Sequence, residues 1–266
     1  MLSITTLASG SEGNCLLVTG GETAILIDAG ISCRRILNSL NALGIDPAVL
    51  SAILVTHEHS DHVCGIATLT RRLGVPVYAS QGTARQLAYR IAFPPDGLRP
   101  FDAGKSFSVG DLTVFSFPTP HDASDSVGYS VACAGARLAV ATDLGVVTPA
   151  VLDAVLGSDT VVVETNHDVE LLRAGPYPYP LKQRILSERG HLCNEDGAAL
   201  AVQAAAAGAR TVILAHLSKT NNTPDLALAA VERAFDAAGV SGVEVTVAPR
   251  SHPGATYRLT KEGAVC

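Results

Sequence analysis

His57-Glu58-His59-Ser60-Asp61-His62 is the stretch that decides the fold, and it directly follows the apolar run Ala52 to Val55 and Thr56. A short apolar run of this kind is typical of a buried strand. Imidazole and carboxylate groups are ligands for zinc, and also for manganese or iron. The side chains of His57, His59, Asp61 and His62 cannot all reach one ion from a regular strand, because alternate side chains of a strand face away. A tight loop at a strand end can instead direct them at two neighbouring ions. A metal-binding loop is therefore favoured over a solvated His-rich loop.

Three further candidate ligands each follow a strand-like segment. His121 comes after residues 115–118, Asp143 after 138–141 and His216 after 212–215. Taken alone, each of these residues is more often a satisfied core or loop residue than a ligand. Strand ends on one edge of a layered α/β fold converge on a common site, however, so their shared placement favours a joint metal centre.

The order and spacing of these residues resemble those of the metallo-β-lactamase fold superfamily, and in particular its binuclear hydrolases. The resemblance implies an α/β fold, an αββα sandwich of two β-sheets flanked by helices, and two divalent metal ions. It also implies the ligands: His57, His59 and His121 for the first metal, Asp61, His62 and His216 for the second, and Asp143 as a bridge between them.

Other segments resemble one branch of that superfamily, the YycJ/WalJ-like proteins, which are described as DNA exonucleases. The segments are residues 8–14, 56–59, 164–168, 190–194 and 215–222. Cys193 and Thr165 stand where that branch leads us to expect serine. Neither residue is a predicted ligand, so these departures concern the positioning of substrate rather than the chemistry.

A second resemblance, to tRNase Z-like nucleases, concerns His191 and Glu164. His191 lies 25 residues before His216, and Glu164 ends the apolar run 161–163. In those enzymes a matching Glu–His pair is found, and such a carboxylate can hold a protonated imidazole against a phosphate or leaving oxygen. The resemblance implies that Asp61, Glu164 and His191 are catalytic. The alternative is that His191 caps a helix starting near Asn194 while Glu164 is merely exposed.

Composition limits the class of protein. The chain has 266 residues, is 47% hydrophobic and 17% charged, and carries a net charge of −6. These values exclude wholesale disorder and a protein that coats nucleic acid by bulk charge, but they leave room for a local basic groove.

We expect a single domain over residues 1–266. Neither a secretory signal nor an apolar stretch long enough to span a bilayer is found, so a cytoplasmic protein is the default expectation. The six scattered cysteines form no CxxC pair and are expected to be small, reduced and buried.

Short β-branched runs alternate with amphipathic stretches in both halves of the chain, which predicts two sheets covered by helices on their outer faces. The predicted strands are 2–7, 15–18, 24–27, 52–55, 75–79, 112–117, 127–133, 137–141, 160–163, 212–215 and 243–247. The predicted helices are 32–43, with Ser32 as N-cap, and 63–73, 83–90, 194–207 and 224–238.

The substrate is less well specified. Basic and aromatic residues alternate between Arg173 and Arg189, a composition that suits DNA but also an ordinary solvated helix face. The Gly-rich loop 9–14 could present N–H groups to a phosphate. His167 is expected to be a loop residue, with a functional role as the alternative. Arg71 and Arg72 are expected at a solvated helix end. DNA is the predicted substrate. The alternatives are a small-molecule hydrolase acting on a lactone, thioester or cyclic phosphodiester, which the net charge favours, and a metal-stabilised interaction protein without activity.

Overall fold

The computed structural model describes residues 1–259, so Cys266 lies outside the described part of the chain. Its strands form two seven-stranded sheets. In spatial order the first sheet consists of β14 (Thr256–Leu259), β1 (Leu2–Ala8), β2 (Cys15–Gly20), β3 (Thr23–Ile27), β4 (Leu50–Leu54), β5 (Val77–Ser80) and β6 (Leu98–Phe101). The second consists of β13 (Glu244–Val247), β12 (Thr211–Ala215), β11 (Thr160–Glu164), β10 (Ala136–Ala141), β9 (Val127–Cys133), β8 (Leu112–Pro118) and β7 (Ser106–Val109).

Helices cover the outer faces of both sheets. Their bounds are α1 (Cys33–Ala42), α2 (Ser60–Val63), α3 (Ile66–Leu73), α4 (Gln81–Arg90), α5 (Pro149–Val155), α6 (Val169–Ala174), α7 (Tyr179–Ile185), α8 (Asn194–Ala206) and α9 (Pro224–Ala238), with a 3₁₀ turn at Pro47–Val49. α1, α3 and α4 pack on the first sheet, and α5, α8 and α9 pack on the second.

A central apolar core lies between the two sheets. Ile25 and Ile27 of β3 belong to this core, whereas Ala24 and Leu26 of the same strand pack beneath the helices on the opposite face. Residues 24–27 of the strand are all apolar because both of its faces are covered. This arrangement confirms the predicted αββα sandwich.

The direction of the strands brings the site together at one edge. β3, β4, β5 and β6 run parallel in the first sheet. In the second sheet β10, β11, β12 and β13 run parallel, and β8 has the same direction because both β8 and β10 are antiparallel to β9. The carboxyl ends of parallel strands therefore meet at one edge of each sheet, which is where the candidate ligands follow.

The prediction of one helix over residues 63–73 is wrong in one respect. The structure has two helices there, α2 and α3, separated by Cys64 and Gly65. Gly65 donates its N–H to the Ala29 carbonyl at 2.8 Å. A Cβ on Gly65 would lie 2.3 Å from the Ile31 carbonyl oxygen. The chain thus passes against the backbone that follows β3, and this close approach requires glycine.

The predicted N-cap at Ser32 is confirmed, since its side chain accepts from the Arg35 N–H.

Among the helices of residues 1–259, none combines the length and the apolar character needed to cross a bilayer.

Candidate metal centre

The predicted ligands meet where the two sheets end side by side. Two groups of possible ligand atoms, each within 4.8 Å of one another, reproduce the predicted sets, and two further groups contain Asp143. The groups are His57, His59 and His121; Asp61, His62 and His216; His57, His62 and Asp143; and Asp143, Glu164, His191 and His216.

Three side chains enter the site from a left-handed backbone conformation that non-glycine residues seldom adopt. Asp28 has φ 61°, Asp143 has φ 58° and His216 has φ 58°. Each stands at the first or second position after its strand, namely β3, β10 and β12. Such conformations cost free energy and concentrate at functional sites. Here they turn a side chain from the strand end into the gap between the sheets.

Asp143 lies between the two predicted sets. Its Oδ1 is 3.9 Å from His121 Nε2, and its Oδ2 is 3.5 Å from His62 Nε2. Oδ1 is also 3.5 Å from His216 Nδ1, so this one carboxylate lies beside members of both sets. Both the Asp143 and the His62 side chains are almost fully buried.

Protein groups hold the Nδ1 atoms of the buried histidines and thereby aim Nε2 at the centre. His62 donates Nδ1–H to Asp28 Oδ2 at 2.7 Å, and His121 donates to the Gly190 carbonyl at 3.1 Å. His216 Nδ1 is 2.8 Å from Glu164 Oε1, and His57 Nδ1 is 3.0 Å from the Thr56 hydroxyl. Partners of this kind fix the tautomer and ring orientation of metal-ligating histidines.

Several buried nitrogen and oxygen atoms of the cluster have no hydrogen-bond partner among the described residues and are suited to binding a cation. The Nε2 atoms of His57, His121 and His216 and Oδ2 of Asp143 are buried, and none has a hydrogen-bond partner within residues 1–259. Buried polar atoms normally have partners, because leaving one unsatisfied costs about 1–3 kcal/mol. Three imidazole nitrogens and a carboxylate oxygen converging without partners match the donor set of a transition metal. Together with the family match given below, the cluster supports binding of divalent metal.

Charge is unevenly distributed in the cluster. Burial and the neighbouring imidazoles of His62 and His121 hold the pKa of His57 well below its ordinary value. Burial opposes a charged His216, but the carboxylates of Asp143, Asp61 and Glu164 outweigh it and raise its pKa to about 10. Burial likewise opposes ionisation of Asp61, yet the imidazoles of His216 and His62, whose Nε2 atoms lie 3.6 and 3.4 Å from Asp61 Oδ2, keep the pKa of that carboxyl low. A metal ion must therefore displace protons from part of this cluster when it binds.

Glu164 joins the candidate catalytic histidine to the candidate ligand set. Its Oε1 is 2.8 Å from Nδ1 of both His191 and His216, while its Oε2 accepts from the Leu144 and Leu192 N–H groups. The side chain is fully buried, which contradicts the alternative of an exposed Glu164. The first residue of α8 is Asn194, and no side-chain hydrogen bond caps that helix, so His191 is not its cap. The His191 ring remains partly open to solvent, with 20% of its side chain exposed.

Sequence reasoning missed several residues that support the centre. Asp28 binds His62, Asn14 Nδ2 lies 3.1 Å from His62 Nε2, and Asn166 donates to the His216 carbonyl. Arg189 donates from Nε and Nη2 to the His121 carbonyl at 3.0 and 2.8 Å. Asp28 could have been found, since it follows the apolar strand β3 as Asp143 follows β10. Arg189 offered no such signal, because its role depends on a backbone oxygen.

Other predicted features lie away from the centre or are already engaged. Within the segment 173–189, Arg173 pairs with Glu170, Arg184 pairs with Asp122, and Lys182 donates to the Arg173 carbonyl. The loop 9–14 contacts the centre through Asn14 and through Ser9, whose hydroxyl accepts from the His216 N–H at 2.8 Å. His252 is exposed.

Two cysteines near the His motifs are not buried as expected. Cys64 is exposed and donates to the Gly30 carbonyl at 3.0 Å, while Cys193 is half-buried and donates to Asp196. Burial raises the pKa of the Cys193 thiol to about 12. All five cysteines of the described residues are free, which agrees with the expected reduced state.

Comparison with known proteins places this geometry in a family. Residues 23–217 match the beta-lactamase superfamily domain. The chain is 38% identical to exodeoxyribonuclease YycJ of Bacillus anthracis over 239 residues, covering 90% of each chain. It is also 38% identical to exodeoxyribonuclease WalJ of Streptococcus pneumoniae serotype 2 over 224 residues, covering 83% of each.

Solved structures share the fold at lower identity. The metallo-beta-lactamase fold protein YhfI from Bacillus subtilis has a TM-score of 0.71 at 17% identity, covering 95% of this chain and 98% of that one. Zn²⁺-bound PqqB from Methylobacterium extorquens has a TM-score of 0.69 at 21% identity, covering 97% and 100%. With the matching domain, the relatives and the shared fold in agreement, the chain belongs to the metallo-β-lactamase fold superfamily, in its YycJ/WalJ-like branch.

Proposed function

We propose that this protein is a metal-dependent exodeoxyribonuclease with a binuclear centre. The observation that carries the proposal is the convergence of seven candidate ligands in overlapping groups, with the His191–Glu164 pair directly beside them. The relatives named exodeoxyribonuclease support the same activity. The cytoplasmic location stays a prediction from the sequence.

The proposed ligands are those predicted from the sequence. His57, His59 and His121 would hold the first ion, Asp61, His62 and His216 would hold the second, and Asp143 would be the ligand shared by both. The mixed imidazole and carboxylate donors suit zinc or manganese, and iron is also compatible with them. When bound, such ions supply Lewis acidity toward a phosphate and promote ionisation of water near neutral pH.

Two protein side chains would orient the attacking water and protonate the departing oxygen. Asp61, with 23% of its side chain exposed, reaches the solvent side of the centre and can orient the attacking water through its carboxylate. The His191 side chain is also partly open to solvent, with 20% exposed, and its Nδ1 is held by Glu164 at 2.8 Å. This contact orients the ring, so that His191 can act as the general acid toward the departing oxygen.

Product analysis on two classes of substrate tests the proposal. The metal-loaded protein is incubated with end-labelled linear DNA, closed circular DNA and a panel of lactones and thioesters. We expect mononucleotides or short oligonucleotides from linear DNA and no cleavage of the circle. Rapid lactone or thioester hydrolysis, without degradation of linear DNA in zinc, manganese or iron, would instead establish the small-molecule hydrolase.

Metal stoichiometry tests the binuclear part separately. Protein purified without chelator and supplied with zinc, manganese or iron in turn is expected to bind two ions per chain, as measured by elemental analysis. Asp143→Ala is expected to bind fewer ions and to lose most activity while its circular dichroism spectrum is retained. At most one equivalent of every metal in the wild-type protein contradicts the binuclear centre.

A further inference from the structure

A surface of uncompensated positive charge lies beside the metal centre. Between Val63 and Pro95 the chain contains Arg71, Arg72, Arg85 and Arg90 but no acidic residue, although the whole protein has a net charge of −6. All four arginines are exposed. Within the described residues none of them is ion-paired with a carboxylate. This segment therefore presents an attractive potential for an anionic polymer on an otherwise acidic protein.

Two of these arginines line a groove. A cavity of about 680 Å³ runs between α3 and the segment that follows α4. Arg71 stands on the α3 wall, and Arg90 stands on the opposite wall, which continues through Phe93 to Pro94. Cations on facing walls with apolar surface between them can contact the phosphates and the base of a nucleotide together.

Both walls of the groove are connected to the loop that carries the candidate ligands. Arg90 Nη1 donates to the Glu58 carbonyl at 3.1 Å, and Glu58 stands between the candidate ligands His57 and His59. On the other wall α3 begins three residues after the α2 helix that carries Asp61 and His62. The groove therefore lies beside the ligand loop.

Two carboxylates that contact α4 residues or lie beside them, those of Glu58 and Asp125, are engaged by backbone N–H groups. Glu58 Oε1 accepts from the Ser124 N–H at 2.9 Å, and Asp125 Oδ2 accepts from the Gly82 N–H at 3.0 Å. Tyr89 on α4 has 90% of its surface exposed and lies one helical turn beyond Arg85, on the same face. An exposed aromatic ring among cations is suited to stacking on a base.

We propose that the groove lined by Arg71 and Arg90, together with Arg85 and Tyr89 on the exposed face of α4, forms a binding track for single-stranded DNA, referred to below as the arginine groove. The inference rests on the proposed nuclease function and specifies which surface guides the substrate. The segment 173–189 is the weaker candidate, because Arg173 and Arg184 are already paired with carboxylates.

Salt dependence of binding tests the arginine groove. Metal-loaded protein is titrated with fluorescent, phosphorothioate-linked oligothymidylate, which keeps its charges and resists hydrolysis, at several salt concentrations. Each phosphate contact contributes about 0.7 to the log–log slope on single strands. Arg71→Ala with Arg85→Ala is therefore expected to lower the slope by about 1.4. Arg233→Ala, an exposed arginine on α9 over the other sheet, is the matched control and is expected to keep the wild-type slope.

Photocrosslinking locates the contact directly. An oligonucleotide containing 5-iododeoxyuridine is expected to crosslink to the peptide containing Tyr89. Tyr89→Ala is expected to weaken binding at least roughly fivefold, the lower end of the effect of losing one stacked base. A crosslink confined to Tyr177 or Tyr179 overturns the proposal, as does an unchanged slope in the double arginine variant while the wild-type protein degrades DNA. In those cases the nuclease function stands. A wild-type protein that neither binds nor degrades DNA overturns both.

Discussion

Glu164 holds two imidazoles with one oxygen. Its Oε1 serves His191, the candidate proton donor, and His216, a candidate ligand of the second metal. The carboxylate thus acts on substrate chemistry and on metal orientation at once. Removing His191 and removing Glu164 should therefore have different consequences.

His191→Ala is expected to lower turnover on DNA by roughly 10²-fold or more, the usual effect of losing an acid–base group. Its metal content should match the wild-type protein, because His191 only lines the centre. Glu164→Gln should lower turnover and also weaken binding of the second metal, since the amide is uncharged and has one accepting oxygen where the carboxylate serves two imidazoles and two backbone N–H groups with two. Turnover measured with elemental analysis of both variants checks this, and loss of metal in His191→Ala would show that His191 is a ligand.

His167 allows a test by pH. It is buried, and neither ring nitrogen has a hydrogen-bond partner within residues 1–259. Burial lowers its pKa from 6.5 to about 4. The folded state then binds fewer protons than the unfolded state between these values. Stability is therefore fully present above pH 6.5 and is lost as the pH falls toward 4.

His167→Leu is expected to weaken this loss by up to about 1.4 kcal/mol per pH unit, the effect of one proton. Urea unfolding of metal-free wild-type and variant protein at several pH values between 4 and 7 measures the difference. His252→Ala, which changes an exposed histidine, should unfold with the wild-type pH dependence. Parallel curves for wild type and His167→Leu would mean that His167 titrates normally.

At the scale of elements, the break between α2 and α3 directs the ligand loop. The α2 helix carries Asp61 and His62, and Gly65 lets the chain turn against the backbone that follows β3. In Gly65→Ala the new Cβ would meet backbone oxygens of Ile31 and Ala29, which cannot move independently. We expect unfolding free energy to fall by about 3 kcal/mol, as in overpacked cores, together with weaker binding of the second metal.

Gly44→Ala is the control for this substitution. Gly44 has φ +71° but no atom within 4 Å of a Cβ. It should cost about 1 kcal/mol for the left-handed conformation alone and leave metal binding unchanged. Thermal unfolding and metal titration of both variants measure the comparison. Equal losses of stability and unchanged metal affinity in both would contradict the role of the close approach at Gly65.

Sequence patterns predicted the central strands and the long helices but missed most edge strands and the short helices. The strand Val127–Cys133 and the helix Pro224–Ala238 begin and end as predicted, because apolar residues on covered faces produce clear periodicity. β6, β7 and β14 were missed, and all three are sheet edges. Edge strands have one neighbour and few buried positions, and β6 includes Pro100. Helices α5, α6 and α7 were missed because each has at most seven residues.

The same distinction applies to the site. Ligand candidates could be recognised because His and Asp follow apolar strands, and the pairing of Glu164 with His191 was expected from family resemblance. Contacts made through backbone oxygens, such as Arg189 with His121, depend on loop geometry that no local pattern specifies. Arg71 and Arg72 lie exposed in the last turn of α3, as expected, but the groove beside them had no local sequence signal. Arg71 and Arg90 are distant in sequence and face each other only across the folded groove.

At the scale of the whole molecule, the candidate ligands come from both sheets. His57, His59, Asp61 and His62 follow β4 of the first sheet, whereas His121, Asp143 and His216 follow β8, β10 and β12 of the second. Bound metal would therefore connect the two layers across their shared edge. A ligand that binds only the folded state stabilises it by mass action.

Removing metal is therefore expected to lower the melting temperature of the whole sandwich in one transition. At a free metal concentration 100 times Kd, one site contributes about 2.7 kcal/mol. Calorimetry of the chelated and reloaded protein measures the shift. His216→Ala should show a smaller response to metal. Separate melting of two halves after chelation would contradict a centre that couples the sheets.

The order of the ligands along the chain has a consequence for synthesis. The first ligand set is complete once His121 has been made, but the second set awaits His216, which follows β12 near the end of the second sheet. A nascent chain still on the ribosome thus lacks a complete centre until β12 has emerged and joined β11. In a cell, a protein that degrades DNA would in this way acquire its activity only as folding finishes, and truncated translation products ending before residue 216 would be harmless to the chromosome.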